Sequence, residues 1–472
     1  MMPDYLDLMC QHLDKIITSG TADFGPDPNA MWMASLDIRT GKYPADDTRP
    51  PHIGQRVYRL IDAPRGSTLY WDQPQVVAAH HLSRVTGNPA YQQAGEAYVQ
   101  DFLLRCVANN GLFVWGNHYY YDVVQGTAVR FLDGRHPPEP VDFSTETSYL
   151  HEIRPVPPAW ALFWEQNPAL TELAIRRVGE KHVFDAETGG FNRHADNRQS
   201  YDFIEAGGIL AETLAWLYAK TKDSSLCDLA LKIARYSFAG CHPETGLIEN
   251  SRDSKRWDKV TSTTEVGLWA SSLLRAQAYT GVAEFGEMAA PAVLAYLKYG
   301  YDEGANRYYG RLNVADGTPQ TGDKETTYQP GVYADIWNAL FPTHDYPTAL
   351  ADSCVSLYEQ TGNPAFEQAV HRWARIIDEE SQNPDGSIRY AEHYGRAIRF
   401  LLRASRTFDH QPYHQQADAL AQQAMEQLFD CGMFRSHTGE DRYDAVDGVG
   451  YLMLALIDLV TDEEPDLMGF GF

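Results

Sequence analysis

This chain lacks long apolar runs, paired cysteines and an excess of basic residues. Its longest apolar run near the C-terminus, Tyr451 to Val460, is too short to span a bilayer. The first fifteen residues, MMPDYLDLMCQHLDK, carry early acids and no basic stretch ahead of an apolar one, so they do not read as a signal peptide. The six cysteines lie far apart with no CxxC pair. In a chain this large that pattern predicts free, mostly buried thiols in a reducing compartment. Lysine and arginine number 39 against 64 aspartates and glutamates, a net charge of −25. Such a surface repels phosphate backbones and argues against a nucleic-acid partner. The expectation is a cytoplasmic protein with no membrane association.

What is present is repetition. TGNPAYQQAGEAYVQDFL (86–103) and TGNPAFEQAVHRWARIID (361–378) share one design. A glycine closes one helix, Asn caps the next, and Pro occupies its first position. Tyr91, Ala94, Tyr98 and Phe102 then recur at helical steps, as do Phe366, Val370, Trp373 and Ile377. A weaker copy starts at Thr221. After these helices comes a second recurring element, a glycine-rich turn with one aromatic or aliphatic residue and then polar ones. Examples are NGLFVWGNH from Asn110, TGGFNRHAD from Thr188 and DGSIRYAEH from Asp385. Each leads into a helix richer in small and apolar residues. These more buried helices are expected near Leu69–Ser83, Thr147–Glu165, Asp202, Thr264, Gly331, Glu392 and Asp444.

Alternation of one-sided and all-round apolar helices predicts hairpins closed into a ring. The expected fold is all-α, an (α/α)7 toroid of inner and outer helices, six pairs being possible, with short β-hairpins in the loops. One domain over 1–472 is expected, with a long N-terminal loop segment at about 20–65.

Three neighbouring turns carry the densest set of potential metal ligands. WGNHYYYD offers His118, TETSYLHEIRPVPP offers Glu146, His151 and Glu152, and NRHAD offers His194. Imidazoles with a carboxylate suit Mn, Fe, Ni, Co or Zn, and Ca or Mg less well. The expected cofactor is one divalent ion, of the Mn, Ca or Mg class. The same rim brings arginines together with aromatic rings. Trp115, Tyr119, Tyr121, Tyr149, Arg154, Asp202, Glu205, Arg252, Trp257, Arg311, Arg389 and His393 are the candidates for substrate contact. Arginine grips carboxylates bidentately and rings cover the apolar face of a sugar, so the expected ligand is an acidic oligosaccharide.

The paired helices, WGNHYYYD, His151–Glu152 and NRHAD together resemble the pectate lyases of polysaccharide lyase family two. That resemblance implies an (α/α)7 barrel and metal-assisted β-elimination from a uronate polymer. It implies that His118, His194 and Glu152 hold the metal, with Glu146 the alternative carboxylate. It also implies that Arg193, directly before His194, takes the proton. Lys324 is a chemically easier base because a buried lysine shifts readily, and Tyr328 lies beside it in the sequence as a further catalytic candidate. The expected action is exo, and a homodimer is possible.

Two other enzyme readings stay open. An unsaturated-uronyl or other exo-acting glycoside hydrolase would use two carboxyl groups from Asp196, Asp202, Glu205, Glu265, Asp335 and Glu392. A sugar epimerase would use two histidines, such as His194 and His393. A toroid that only binds oligosaccharide would keep the arginines and rings without a metal.

Overall fold

The computed structural model describes residues 4–42, 66–130, 138–144, 150–252, 259–320, 332–337, 347–382 and 388–471. Seven outer helices among these are α1 (Tyr5–Ser19), α3 (Ala90–Arg105), α5 (Pro168–His182), α7 (Ser224–Phe238), α9 (Glu284–Gly300), α11 (Pro364–Gln382) and α13 (Gln411–Leu428). Seven inner helices alternate with them: α2 (Leu69–Thr86), α4 (Trp160–Gln166), α6 (Ile204–Thr221), α8 (Thr263–Thr280), α10 (Thr348–Thr361), α12 (Ala391–Phe408) and α14 (Val449–Thr461).

From α6 to α14 each inner helix packs on the next, and α14 packs on α2. The short α4 is fixed between its neighbours. Gln73 of α2 accepts from Ala159 N at 2.8 Å, and Trp160 donates to Thr213 of α6 at 3.1 Å. Helix α1 lies against α14 and α2, so the two ends of the chain build the seventh hairpin. The protein is an (α/α) toroid. Each outer helix returns the chain, so the inner helices run parallel and begin at one mouth.

The sequence pattern explains the layers. On α11, Phe366, Val370, Trp373 and Ile377 are all buried, and Trp373 stacks on Tyr308 with ring centroids 4.6 Å apart. On α6 every residue from Ala206 to Leu217 is buried. Close approach needs small residues: a Cβ on Gly450 of α14 would lie 2.2 Å from Gln75 N of α2, where the ring closes. Two carboxylates buried between inner helices are paired with arginines. Arg275 of α8 clasps Glu212 of α6 at 2.6 and 2.8 Å, and Arg406 of α12 clasps Asp458 of α14 at 2.7 and 3.0 Å. Pairing of this kind offsets the cost of desolvating each charge.

The chain departs from expectation in three places. The inner helix expected over Thr147–Glu165 is confined to α4. His151 and Glu152 form bridges instead of helix, and Pro155, Pro157 and Pro158 remove backbone donors just ahead of α4. The helix expected from Gly331 begins, among the described residues, at Thr348, and Tyr333 pairs with Tyr309 as an isolated bridge. Third, the loops hold more than hairpins. Gly66–Ser67, Tyr119–Asp122, Thr127–Arg130 and Glu139–Pro140 form a four-stranded antiparallel sheet. Within the N-terminal segment, Ser35–Asp37 pairs with Arg442–Asp444, while residues 43–65 lie outside the described ones. No helix among the described residues is long and apolar enough to cross a membrane.

Candidate functional site

Three turns at the mouth lie side by side. Trp115 N donates to Leu150 O at 3.0 Å, and Glu152 N donates to Trp115 O at 2.9 Å. On the other edge Ile153 N donates to Arg193 O at 2.8 Å and Ala195 N to His151 O at 3.2 Å. Segment 150–153 is therefore the middle of three short extended pieces. Successive side chains on such a piece point to opposite faces.

On one face stands Glu152, which is 1% exposed. His118 Nδ1 lies 3.1 Å from its Oε2, and His194 Nδ1 lies 3.7 Å from its Oε1. Arg154 forms an ion pair with Oε1 at 2.9 Å, and Arg193 Nε stands 3.5 Å from the same oxygen. Burial opposes ionisation of Glu152. Arg154, His118 and Arg193 outweigh it and hold the carboxyl well below the ordinary range. Burial, reinforced by Arg193 and Arg154, pushes His194 down to about 3 against the pull of Glu152. An anionic carboxylate beside a neutral imidazole is the donor state that a divalent cation takes. By type, charge and convergence, His118, Glu152 and His194 could hold such an ion.

Two details fix this face. Gly116 has φ +124°, and a Cβ there would meet Glu152 Cβ at 2.9 Å, so the turn carrying His118 presses directly on Glu152. Arg193 donates to His194 Nε2 at 3.3 Å. Its guanidinium lies 4.9 Å from the Tyr201 ring centre and 5.0 Å from that of Phe203. The chain then enters α6, whose first turn carries Glu205. Burial and then the charge of Glu265 on α8 push Glu205 up to about 8, while Arg193 and Arg154 pull the other way. Glu205 and Glu265 therefore hold a proton between them near neutral pH, within electrostatic reach of Arg193.

His151, expected as a possible ligand, belongs to the opposite face. Its Nδ1 lies 2.8 Å from His182 Nε2, and His182 Nδ1 lies 2.8 Å from Asn192 O. Burial pushes His182 down to about 4 and His151 well below its ordinary value, so this pair is neutral scaffolding. His182 was not found from sequence. As the last residue of an amphipathic helix it reads as a favourable charge at a C-terminus.

Several residues expected to touch substrate have other partners. Trp115 is 1% exposed and packs edge-on against Tyr70, Phe102 and Phe163, which makes it core rather than a sugar platform. Tyr119 is buried in the four-stranded sheet, and Tyr121 donates to Asp27 at 2.8 Å. Asp202 accepts from Ser251 and from Tyr236, tying the next turn to α7. Arg252 is exposed and lies over the ring of Tyr236, and Arg311 is buried in a strand opposite Ser262.

Arg389 lies over Trp337 and His393 sits edge-on to Tyr390, both at the entry to α12. Near them are His437, Asp444 and Asp447, all buried, with ligand atoms within 4.8 Å of one another; the sequence reading did not single out this group. Glu146, Tyr149, Trp257, Lys324 and Tyr328 lie outside the described residues.

Residues 73–204 match the family described as periplasmic pectate lyase. The matched span contains His118, Glu152, Arg154, Arg193 and His194. Among solved structures, the chain is similar to a D-mannose isomerase at 10% identity, covering 98% of this chain and 100% of that one with a TM-score of 0.51. It is also similar to an alpha-1,6-mannanase of Salegentibacter sp. HEL1_6, at 10% identity over 97% and 99% of the two chains with a TM-score of 0.47. A cellobiose 2-epimerase of Bacillus thermoamylovorans matches at 10% identity over 97% and 100%, with a TM-score of 0.46. The likeness to the isomerase is one of fold.

Proposed function

We propose that this protein is a carbohydrate-active enzyme that cleaves uronate-containing oligosaccharides by metal-assisted β-elimination. The observation that carries the reading is the convergence of His118 and His194 on the two oxygens of buried Glu152, with Arg193 alongside. The match of residues 73–204 to the pectate lyase family supports it.

In such an elimination the C5 proton, α to the carboxylate, is removed, C4=C5 forms and the C4–O4 bond breaks. When bound, the divalent ion would neutralise the uronate carboxylate and stabilise charge developing at C5. The remaining steps fall to side chains. Arg154 and Arg193 draw an anionic sugar to the mouth of an acidic protein. Arg193, held between Tyr201, Phe203 and His194, faces the proton to be removed. Its pKa in water, above about 12, makes it a poor base. The charge of a divalent ion held by His118, Glu152 and His194 would favour its neutral form against the pull of Glu152. Glu205, protonated near neutral pH, supplies the proton that the departing O4 needs.

A second reading rests on Glu205 and Glu265. Two carboxyl groups at neighbouring inner-helix starts, one of them protonated near neutral pH, would suit a glycoside hydrolase. Mass spectrometry of products from oligogalacturonate and other uronate oligomers separates the two. Elimination splits the chain without adding water. Products heavier by one water in total would move the activity to the carboxylate pair and sink the lyase proposal.

A further inference from the structure

Asn117 lies between Gly116, which presses on Glu152, and His118, which meets Glu152 Oε2. Its side chain is 1% exposed, and neither Oδ1 nor Nδ2 has a hydrogen-bond partner. A carboxamide buried with both ends unpaired destabilises a fold, and an apolar residue of similar size would relieve that cost. The chain carries this cost within one residue of a candidate ligand, and on the turn whose glycine abuts the candidate carboxylate. The candidate donors His118, Glu152 and His194 are two nitrogens and one carboxylate. A neutral amide oxygen adds a hard donor of the kind Mn2+, Ca2+ and Mg2+ favour, without adding charge.

We propose that Asn117 is a further ligand of this site, its Oδ1 binding the divalent cation and its Nδ2 donating to the carboxylate of the uronate brought there. The inference rests on the metal reading above. It also accounts for the two unpaired atoms together, one acceptor and one donor, on the turn that carries His118.

The test is Mn2+ titration calorimetry on the full chain stripped with EDTA, for the wild type, Asn117→Leu, Asn117→Asp and His194→Ala. Loss of binding in His194→Ala locates the ion at this cluster. Asn117→Leu is expected to weaken Mn2+ binding by about 10- to 100-fold. Asn117→Asp keeps an oxygen and is expected to bind at least as tightly as the wild type. With Mn2+ saturating, Asn117→Asp is expected to bind digalacturonate about tenfold more weakly, because the amide donor has become a second anion.

Thermal unfolding gives an independent readout. In EDTA the leucine variant should melt above the wild type, and with Mn2+ it should gain less than the wild type gains. Should the leucine variant not fold, Asn117→Ser, with its shorter side chain, takes its place. Wild-type affinity in the leucine variant overturns the ligand role, as does equal weakening in leucine and aspartate variants. Unchanged digalacturonate binding in Asn117→Asp overturns the donor role. A wild type that binds no Mn2+, or a His194→Ala variant that binds it normally, brings down the metal reading and this inference with it.

Discussion

Asp72 ties the stability of the ring to pH in a way that one substitution exposes. It sits in the first turn of inner helix α2, 1% exposed, and accepts from Tyr98 at 2.8 Å and Tyr443 at 2.9 Å. Burial raises its carboxyl from 3.8 to about 7, although both phenols pull downward. The folded state therefore binds a proton that the unfolded chain releases near pH 4. This contribution to stability is fully present below the unfolded value and is lost as pH rises towards about 7. A difference of roughly 3 units corresponds to about 4 kcal/mol. The site is dry, so solvent screening takes little from that figure. The carboxamide of an Asp72→Asn variant does not titrate, and its cost is about 1 kcal/mol for weaker bonds to the tyrosines. The variant should be slightly less stable than the wild type at pH 4 and more stable at pH 8, with the gap changing by about 4 kcal/mol. Urea unfolding followed by tryptophan fluorescence across this range measures it. A gap that stays constant with pH would mean that Asp72 ionises as in water, which refutes the dry-pocket argument.

Glu205→Gln should lower turnover by about 100-fold or more, and the alkaline limb expected of the wild type near pH 8 should be absent, because the titrating proton is gone. An unchanged alkaline limb would assign that titration elsewhere. Gly116→Ala should abolish activity, since the new methyl collides with Glu152 Cβ at 2.9 Å at a φ of +124°. Full activity in that variant would show the turn is not held against Glu152. Trp373→Ala should cost about 3 to 5 kcal/mol of stability from the outer layer without changing KM. A changed KM would mean the outer layer couples to the site.

The helical pairs were legible because their signals are local. Gly87 and Gly362 take φ of +73° and +63° to end α2 and α10, and Asn88 and Asn363 accept from the next helix, as TGNP suggests twice over. The width of each apolar face separated inner from outer helices. The cluster at the mouth was legible in part. His118, Glu152, Arg193 and His194 stand on three successive turns, and a ring places successive turns side by side.

What stayed hidden depends on direction and distance. His151 and Glu152 are adjacent in sequence, yet extended backbone sends one to His182 and the other to the cluster. Trp115 and Tyr121 look like a sugar wall by residue type, but type does not say which face they occupy. Tyr443 reaches Asp72 across 371 residues, and no local pattern announces that contact. Asn117 stood in a conspicuous motif, and only the burial of both its amide atoms sets it apart.

The central claim is elimination at the His118–Glu152–His194 cluster. Ultraviolet absorbance of the conjugated C4–C5 double bond, recorded during incubation with oligogalacturonate, tests it most directly. A rise with Mn2+ is expected, one that EDTA abolishes and that His194→Ala lacks. No rise while new reducing ends accumulate, or a rise that persists in His194→Ala, would contradict it.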